Sequence, residues 1–324
     1  MSQAAVAPSQ SHVSEDVVLE AIDLVVEYRS GGKANRAVDG VSLTLRRGET
    51  LGLVGESGCG KSSTGRSLVQ LPSPTGGEVT LMGEPLTGLS EKALRPLRRK
   101  LQLIFQDPIS SLNPRRTAVE IVMEPLLIQG VAKKEARERA MATLAKVGVD
   151  EAMAERRPHQ LSGGQCQRIS IARAVVQDPE VLICDEPVSA LDVSVQAQVL
   201  NLLEKMKDEL GLSMVFISHD LAVVSNISDR VAVMYLGRIA EVAPSRALYA
   251  SPRHHYTAML LDSIPKPGTE REPSRATNEL GGRPEVGCPF APRCPAADDI
   301  CRSAAPALVE VAPEHLVACH HPLG

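Results

Sequence analysis

An α/β fold around a mostly parallel sheet is what this sequence predicts, on three observations. Short apolar runs recur as TLGLV, LQLIF, EVLIC and SMVFIS, and each leads into polar residues able to do chemistry. Buried strands with functional residues at their carboxyl ends are the mark of such a sheet. A glycine loop, GESGCGKS, stands between the first run and the helix-forming KSSTGRSLVQL. Amphipathic stretches with helix-forming composition separate the later runs.

Composition sets the outer limits. A chain of 324 residues has room for one large α/β domain and a small appendage. Its hydrophobic fraction of 43% and charged fraction of 23% are those of a globular protein. A net charge of −4, with Trp 0, Phe 3 and Tyr 4, provides neither a field nor stacking rings for nucleic acid, so none is expected as a partner. No apolar run approaches the roughly 18 to 20 residues that cross a bilayer. The start, Met1 to Asp16, lacks a basic segment followed by an apolar one. The expectation is a cytosolic protein, compatible with docking on a membrane protein. Cys59, Cys166 and Cys184 are scattered and expected to be reduced thiols.

Along the chain, residues 1–15 are small and polar and read as a disordered tail. From Val17 to Val54 apolar and polar residues alternate around Gly31 and Gly32, which predicts several antiparallel strands. Thr117 to Gly148 reads as helical, with Gly148 as the stop. A further helix is predicted over Val195 to Leu210, where Val195, Val199, Leu202, Leu203, Met206 and Leu210 share one face before Gly211. The basic RPLRRK segment, Arg95 to Lys100, reads as a solvated face. After Asp262 the composition turns to Pro, Gly and charge, a linker that sets residues 263–324 apart from the 16–262 body.

The glycine loop carries the first chemistry. Gly55 to Ser62 fits G-x-x-x-x-G-K-[ST] between a predicted strand and a predicted helix. Its backbone N–H groups can point at phosphate oxygens, aided by the positive end of the helix. Gly55, Ser57, Gly58, Cys59 and Gly60, with Ser63 just beyond, are the candidate contacts. Lys61 would hold the β- and γ-phosphates, and the Ser62 hydroxyl would ligate Mg²⁺. In VLICDE, Asp185 and Glu186 place two carboxylates at a strand end, one for the Mg²⁺ shell and one to orient or deprotonate a water.

LSGGQ, Leu161 to Gln165, precedes the helix CQRISIARAVV and narrows the reading. Ser162, Gly163, Gly164 and Gln165 at a helix N-terminus make a second anion site. The stretch resembles the signature of the ATP-binding subunits of ABC transporters. The resemblance covers roughly Val17 to Ala250. It implies a RecA-like core with an antiparallel β subdomain and a helical subdomain at about 107–170. It also implies a head-to-tail dimer with two ATPs, each held between the loop of one subunit and LSGGQ of the other. The family's remaining positions fall in order: Tyr28 for adenine stacking, Gln106 for Mg²⁺ and the attacking water, Ser189 to Asp192 (SALD) for the loop crossing the dimer interface, and His219 for the γ-phosphate.

Soluble relatives in DNA repair and translation carry tandem cassettes or a long coiled coil, and this chain has neither. FQDPISSLNPRRTAVEIVMEPL resembles the region of dipeptide and oligopeptide importer ATPases that receives the permease. SPRHHYTAMLLDSIP resembles the segment after their cassette, with His255 where proline is usual. The resemblance implies two transmembrane permease subunits, a second ATPase subunit, an extracytoplasmic substrate-binding protein and a place on the cytoplasmic face of the membrane. Other cargoes of the same subfamily are nickel, glutathione and sugar oligomers.

The last forty residues gather Cys288, Cys294, Cys301 and Cys319. Four thiolates can ligate a [4Fe–4S] cluster or a tetrahedral Zn²⁺, with His320 and His321 as alternative donors. Gaps of five, six and seventeen residues are wider than zinc knuckles, and GCPFAPRCP resembles the importer ATPases' ending, which favours the cluster. A structural role is expected, since so short a tail has little core of its own.

Overall fold

The computed structural model describes residues 16–30, 33–264, 284 and 286–324. The expected N-terminal tail, the Gly31 and Gly32 turn and most of the linker after Asp262 lie outside them. Twelve strands occur among the described residues: β1 (Val17–Ser30), β2 (Lys33–Arg46), β3 (Thr50–Val54), β4 (Gly76–Leu81), β5 (Glu84–Pro85), β6 (Leu101–Ile104), β7 (Val181–Asp185), β8 (Ser213–Ser218), β9 (Arg230–Tyr235), β10 (Arg238–Pro244), β11 (Val309–Ala312) and β12 (His315–Val317). The helices are α1 (Lys61–Leu68), α2 (Glu91–Leu97), α3 (Ala118–Ile128), α4 (Lys133–Lys146), α5 (Glu151–Ala154), α6 (Gly163–Val175), α7 (Val193–Leu210), α8 (Leu221–Ile227), α9 (Ser245–Ala250), α10 (His255–Asp262) and α11 (Asp299–Ser303).

The strands form two sheets. An antiparallel sheet has the order β2-β1-β4-β5, and a larger one the order β11-β12-β10-β9-β3-β8-β7-β6. In the second, β9, β3, β8, β7 and β6 run parallel. Every residue of β3, β7 and β8 is buried, which is why these strands read as unbroken apolar runs rather than alternations. Register levels their carboxyl ends: Val54 lies opposite Ser218, Asp185 opposite Ile217 and Ile104 opposite Cys184. Residues just past these ends therefore converge on one edge. The expected antiparallel run from Val17 to Val54 divides between the sheets, because β3 leaves β1 and β2 to pair in parallel with β8 and β9.

The helical stretch expected over Thr117 to Gly148 comes as two helices. Gly130 at φ 86° turns the chain between them. A capping box starts α3, with the Thr117 side chain accepting from Glu120 N and the Glu120 carboxylate accepting from Thr117 N. Ala136, Ala140 and Leu144 of α4 are buried in the same apolar core as the inner face of α6. Helix α7 has Asp192 as its N-cap and ends at Gly211, left-handed at φ 65°. Val199, Leu202, Leu203 and Met206 are its buried face, with Val195 and Leu210 packed at the margin.

The C-terminal segment is not a separate appendage. Strand β12 pairs with β10 and so extends the main sheet, and Cys288, Phe290 and Cys301 join the principal core. Glu241, fully buried on β10, accepts from Arg253 N at 2.7 Å, His254 N at 3.0 Å and pairs with His315 Nε2 at 2.6 Å. Tyr235, Tyr256 and Phe290 stack at ring separations of 4.5 to 5.4 Å, so three of the chain's few aromatic residues seal this junction.

Candidate functional site

The edge made by the strand ends holds a cavity of about 700 Å³, walled by Ser57, Gly58, Gly60, Lys61, Ser62 and Ser63 on one side. Gln106, Asp107, Glu186, Ser189, Ala190 and His219 form the other, and Ala37 reaches it from β2. The loop requires its glycines: Gly55 has φ 154°, and a Cβ there would lie 2.1 Å from the Met234 carbonyl oxygen. At Gly60, φ 110°, a Cβ would meet the Ala37 carbonyl oxygen at 2.2 Å. Lys61 Nζ donates back to the carbonyls of Gly55 at 2.8 Å and Glu56 at 3.0 Å. Cys59 is buried beneath the loop, with burial pushing its thiol pKa up.

Ser62 Oγ donates to Asp185 Oδ1 at 2.6 Å. Asp185 is fully buried, and burial raises its carboxyl above the ordinary range while Ser62 and Arg66 pull it back. Its Oδ2 accepts no hydrogen bond and faces Arg66 Nε at 3.6 Å. A buried acceptor beside a serine hydroxyl at a phosphate loop suits a hard cation such as Mg²⁺, held through Ser62 with Asp185 behind it.

Glu186 sits left-handed at φ 46°, a strained pose for a residue with a side chain, which places its carboxylate on the cavity wall. Gln106 Nε2 donates to Glu186 Oε2 at 3.0 Å, and His219 Nδ1 lies 3.4 Å from Oε1. Tyr28 stands at the rim, 41% exposed, with its hydroxyl donating to Ser63 Oγ at 3.2 Å.

Ser162, Gly163, Gly164 and Gln165 do not line this cavity. They start α6, where Ser162 Oγ accepts from Gln165 N and Gln165 Oε1 accepts from Ser162 N. Ser162 itself is exposed. Sequence reasoning missed Asp107 and Ala37 as wall residues; the first could have been read from its place after Gln106, whereas nothing local marks Ala37, and Ser189 and Ala190 of the SALD loop line the cavity as well.

The four C-terminal cysteines are free thiols around one small pocket, shared with His254, His320 and His321. Cys288 N donates to Cys301 O at 2.7 Å, which closes the loop between them. Burial pushes the thiols of Cys288, Cys294 and Cys319 up, and their neighbours' negative charge adds to it. Asp298, Cys301 and His321 also bring donor atoms within 4.8 Å of one another, with His321 Nε2 2.9 Å from Asp298 Oδ2. Asp298 was not anticipated from the sequence. His320 is bonded instead to the Ala304 carbonyl oxygen at 2.9 Å.

Residues 38–189 match the ABC transporter family, and residues 240–301 match the oligopeptide/dipeptide transporter C-terminal region. The oligopeptide transport ATP-binding protein AppF of Bacillus subtilis (strain 168) is 49% identical over 293 residues, 88% of this chain and 89% of that protein. The oligopeptide transport ATP-binding protein OppF of Escherichia coli (strain K12) is 47% identical over 320 residues, 94% of this chain and 96% of that protein. Among solved structures, a dimeric post-hydrolysis state of the ATP-binding cassette MJ0796 bound to ADP and Pi superposes with a TM-score of 0.65 at 31% identity, covering 70% of this chain and 99% of that one. With the cavity, the loop and the strand-end carboxylates in place, these likenesses make the chain a member of the ABC transporter ATPases, in the oligopeptide/dipeptide transporter family.

Proposed function

We propose that the chain is the ATP-hydrolysing subunit that energises import of di- or oligopeptides through an ABC transporter at the cytoplasmic face of the membrane. The observation that carries this is the convergence of Lys61, Ser62, Gln106, Glu186 and His219 on one cavity in a chain resembling oligopeptide transport ATP-binding proteins along nearly its whole length. In this reading the loop N–H groups and Lys61 hold the phosphates, Tyr28 stacks on adenine, and Ser62 with Gln106 holds Mg²⁺ ahead of Asp185. Glu186 orients the attacking water, and His219 contacts the γ-phosphate. Mg²⁺, when bound, supplies charge neutralisation at the phosphates.

Ser162, Gly163, Gly164 and Gln165 complete a partner ATPase's site in a head-to-tail dimer. The exposure of Ser162 at a helix N-terminus, with all four residues away from this chain's own cavity, supports that role. Two permease subunits and an external substrate-binding protein complete the assembly. A groove between α2, β6 and α3, lined by Arg95, Lys100, Gln102, Glu124 and Ile128, is the surface offered to a permease helix, and the exposed Leu127 and Ile128 beside it support that use.

We assign the four cysteines to a structural [4Fe–4S] cluster. Donors to one tetrahedral zinc, at about 2.3 Å from the metal, sit about 4 Å apart. The one group of three donors within 4.8 Å of one another among the described residues is Asp298, Cys301 and His321, not three sulfurs, and the gaps of five, six and seventeen residues are wider than zinc knuckles; both favour a cluster. Bound there, the group supplies folding free energy to the C-terminal segment.

Purification of the tagged chain from detergent-solubilised membranes tests the assembly. Co-purification of membrane permeases, with ATP hydrolysis stimulated by a peptide-loaded binding protein, supports the importer. Ribosomes or DNA in place of permeases contradict it.

A further inference from the structure

The cysteine-bearing segment reaches the phosphate loop through one side chain. Arg293 ends the short turn Ala291–Arg293, immediately before Cys294. Its guanidinium makes a two-pronged ion pair with Glu56, Nη1 to Oε2 and Nη2 to Oε1, each at 2.9 Å, across 237 residues of sequence. The guanidinium carbon lies 5.8 Å from the ring centres of both Tyr235 and Phe290. The pair is half-sheltered, with side chains 15% and 27% exposed.

Glu56 is the second residue of the phosphate loop. Its N–H donates to the Tyr256 hydroxyl at 3.0 Å, and its carbonyl accepts from Lys61 Nζ at 3.0 Å and from Cys59 N at 3.2 Å. The loop's task is to hold a polyanion, yet Glu56 brings a negative charge into it. An unpaired carboxylate there opposes nucleotide, because charges within about 10 Å interact at ordinary salt. We propose that Arg293 acts on the phosphate loop through Glu56 as a positioning residue: by neutralising the Glu56 carboxylate, the C-terminal segment sets the affinity of the ATP site. The inference rests on reading Gly55 to Ser62 as that site, and it does not depend on which metal the cysteines hold.

The test is the Kd and KM for Mg-ATP of the full chain, with kcat and melting temperature measured alongside. Arg293→Met keeps the apolar stem over both rings and removes the charge. It is expected to weaken Mg-ATP about fivefold at low salt, with kcat little changed, and the defect should shrink as salt is raised. Arg293→Lys restores the charge and should recover most of the affinity. Adding Glu56→Gln to Arg293→Met removes the stranded carboxylate and should restore binding, the coupling expected of a charge pair. Glu56→Gln alone leaves the arginine's charge beside the loop and should bind Mg-ATP at least as tightly as wild type.

Wild-type affinity in Arg293→Met overturns the proposal. So does a double variant no better than Arg293→Met, which makes the arginine a packing residue only. A Glu56→Gln variant weakened several-fold also overturns it, whatever the fate of the arginine variants. Wild-type protein that binds no Mg-ATP overturns the reading of the loop itself, a distinct outcome.

Discussion

Gln106 Nε2 donates a hydrogen bond to Glu186 Oε2 at 3.0 Å, joining the segment that leads from β6 into the helices to the carboxylate just past the end of β7. The bond couples the cavity wall at Glu186 to the segment that follows β6. Glu186→Gln keeps the size of the side chain and removes the carboxylate. ATP binding should persist while turnover falls about 10²- to 10⁴-fold, the range for loss of a general base. Phosphate release under single-turnover conditions, beside a nucleotide-binding assay, checks this; turnover at the wild-type rate sinks the role given to Glu186.

Gly164→Ala should disturb the signature helix without touching the chain's own cavity. A Cβ at Gly164 would lie 2.6 Å from Val195 Cγ1 on α7. Overpacking of this kind costs about 1 to 3 kcal/mol. Chemical denaturation should show that loss, and adding Val195→Ala should recover part of it. An unchanged midpoint in the single variant contradicts the close approach of α6 and α7.

Glu241 anchors the C-terminal segment to the main sheet. Glu241→Ala strands the N–H groups of Arg253 and His254 and the ring of His315, and each unsatisfied buried group costs about 1 to 3 kcal/mol. Limited proteolysis should then cut residues 286–324 faster than in wild type while residues 33–262 stay as resistant as before. Equal resistance throughout would show that β12 is held by other means.

These contacts also mark where the sequence stops being legible. The parallel core and its strand-end chemistry could be read because β3, β7 and β8 are buried throughout and mostly apolar, and Gly55, Glu186 and His219 follow them directly. The division of Val17 to Val54 between two sheets could not, because pairing partners such as Val215 and Val231 lie far along the chain. Bulges in β1 also shift the register that alternation assumes. The same holds for Glu241 with His315 and Glu56 with Arg293: each partner looks like an ordinary surface charge until folding brings it to the other. Gly130, by contrast, is a local signal, and it accounts for the break between α3 and α4.

Protein purified without oxygen should carry about four irons and four sulfides per chain, with visible absorption, and Cys294→Ser should lose them. Stoichiometric zinc in place of iron, or a metal-free and equally stable protein, contradicts the cluster.

The most direct test of the account is uptake of a labelled peptide into cells or vesicles containing the whole transporter, with wild-type chain or Glu186→Gln. The account predicts ATP-dependent uptake with wild type, competed by unlabelled peptides, and none above background with the variant. Peptide uptake that persists in the variant, or a wild-type transporter that hydrolyses ATP and moves no peptide, would contradict it.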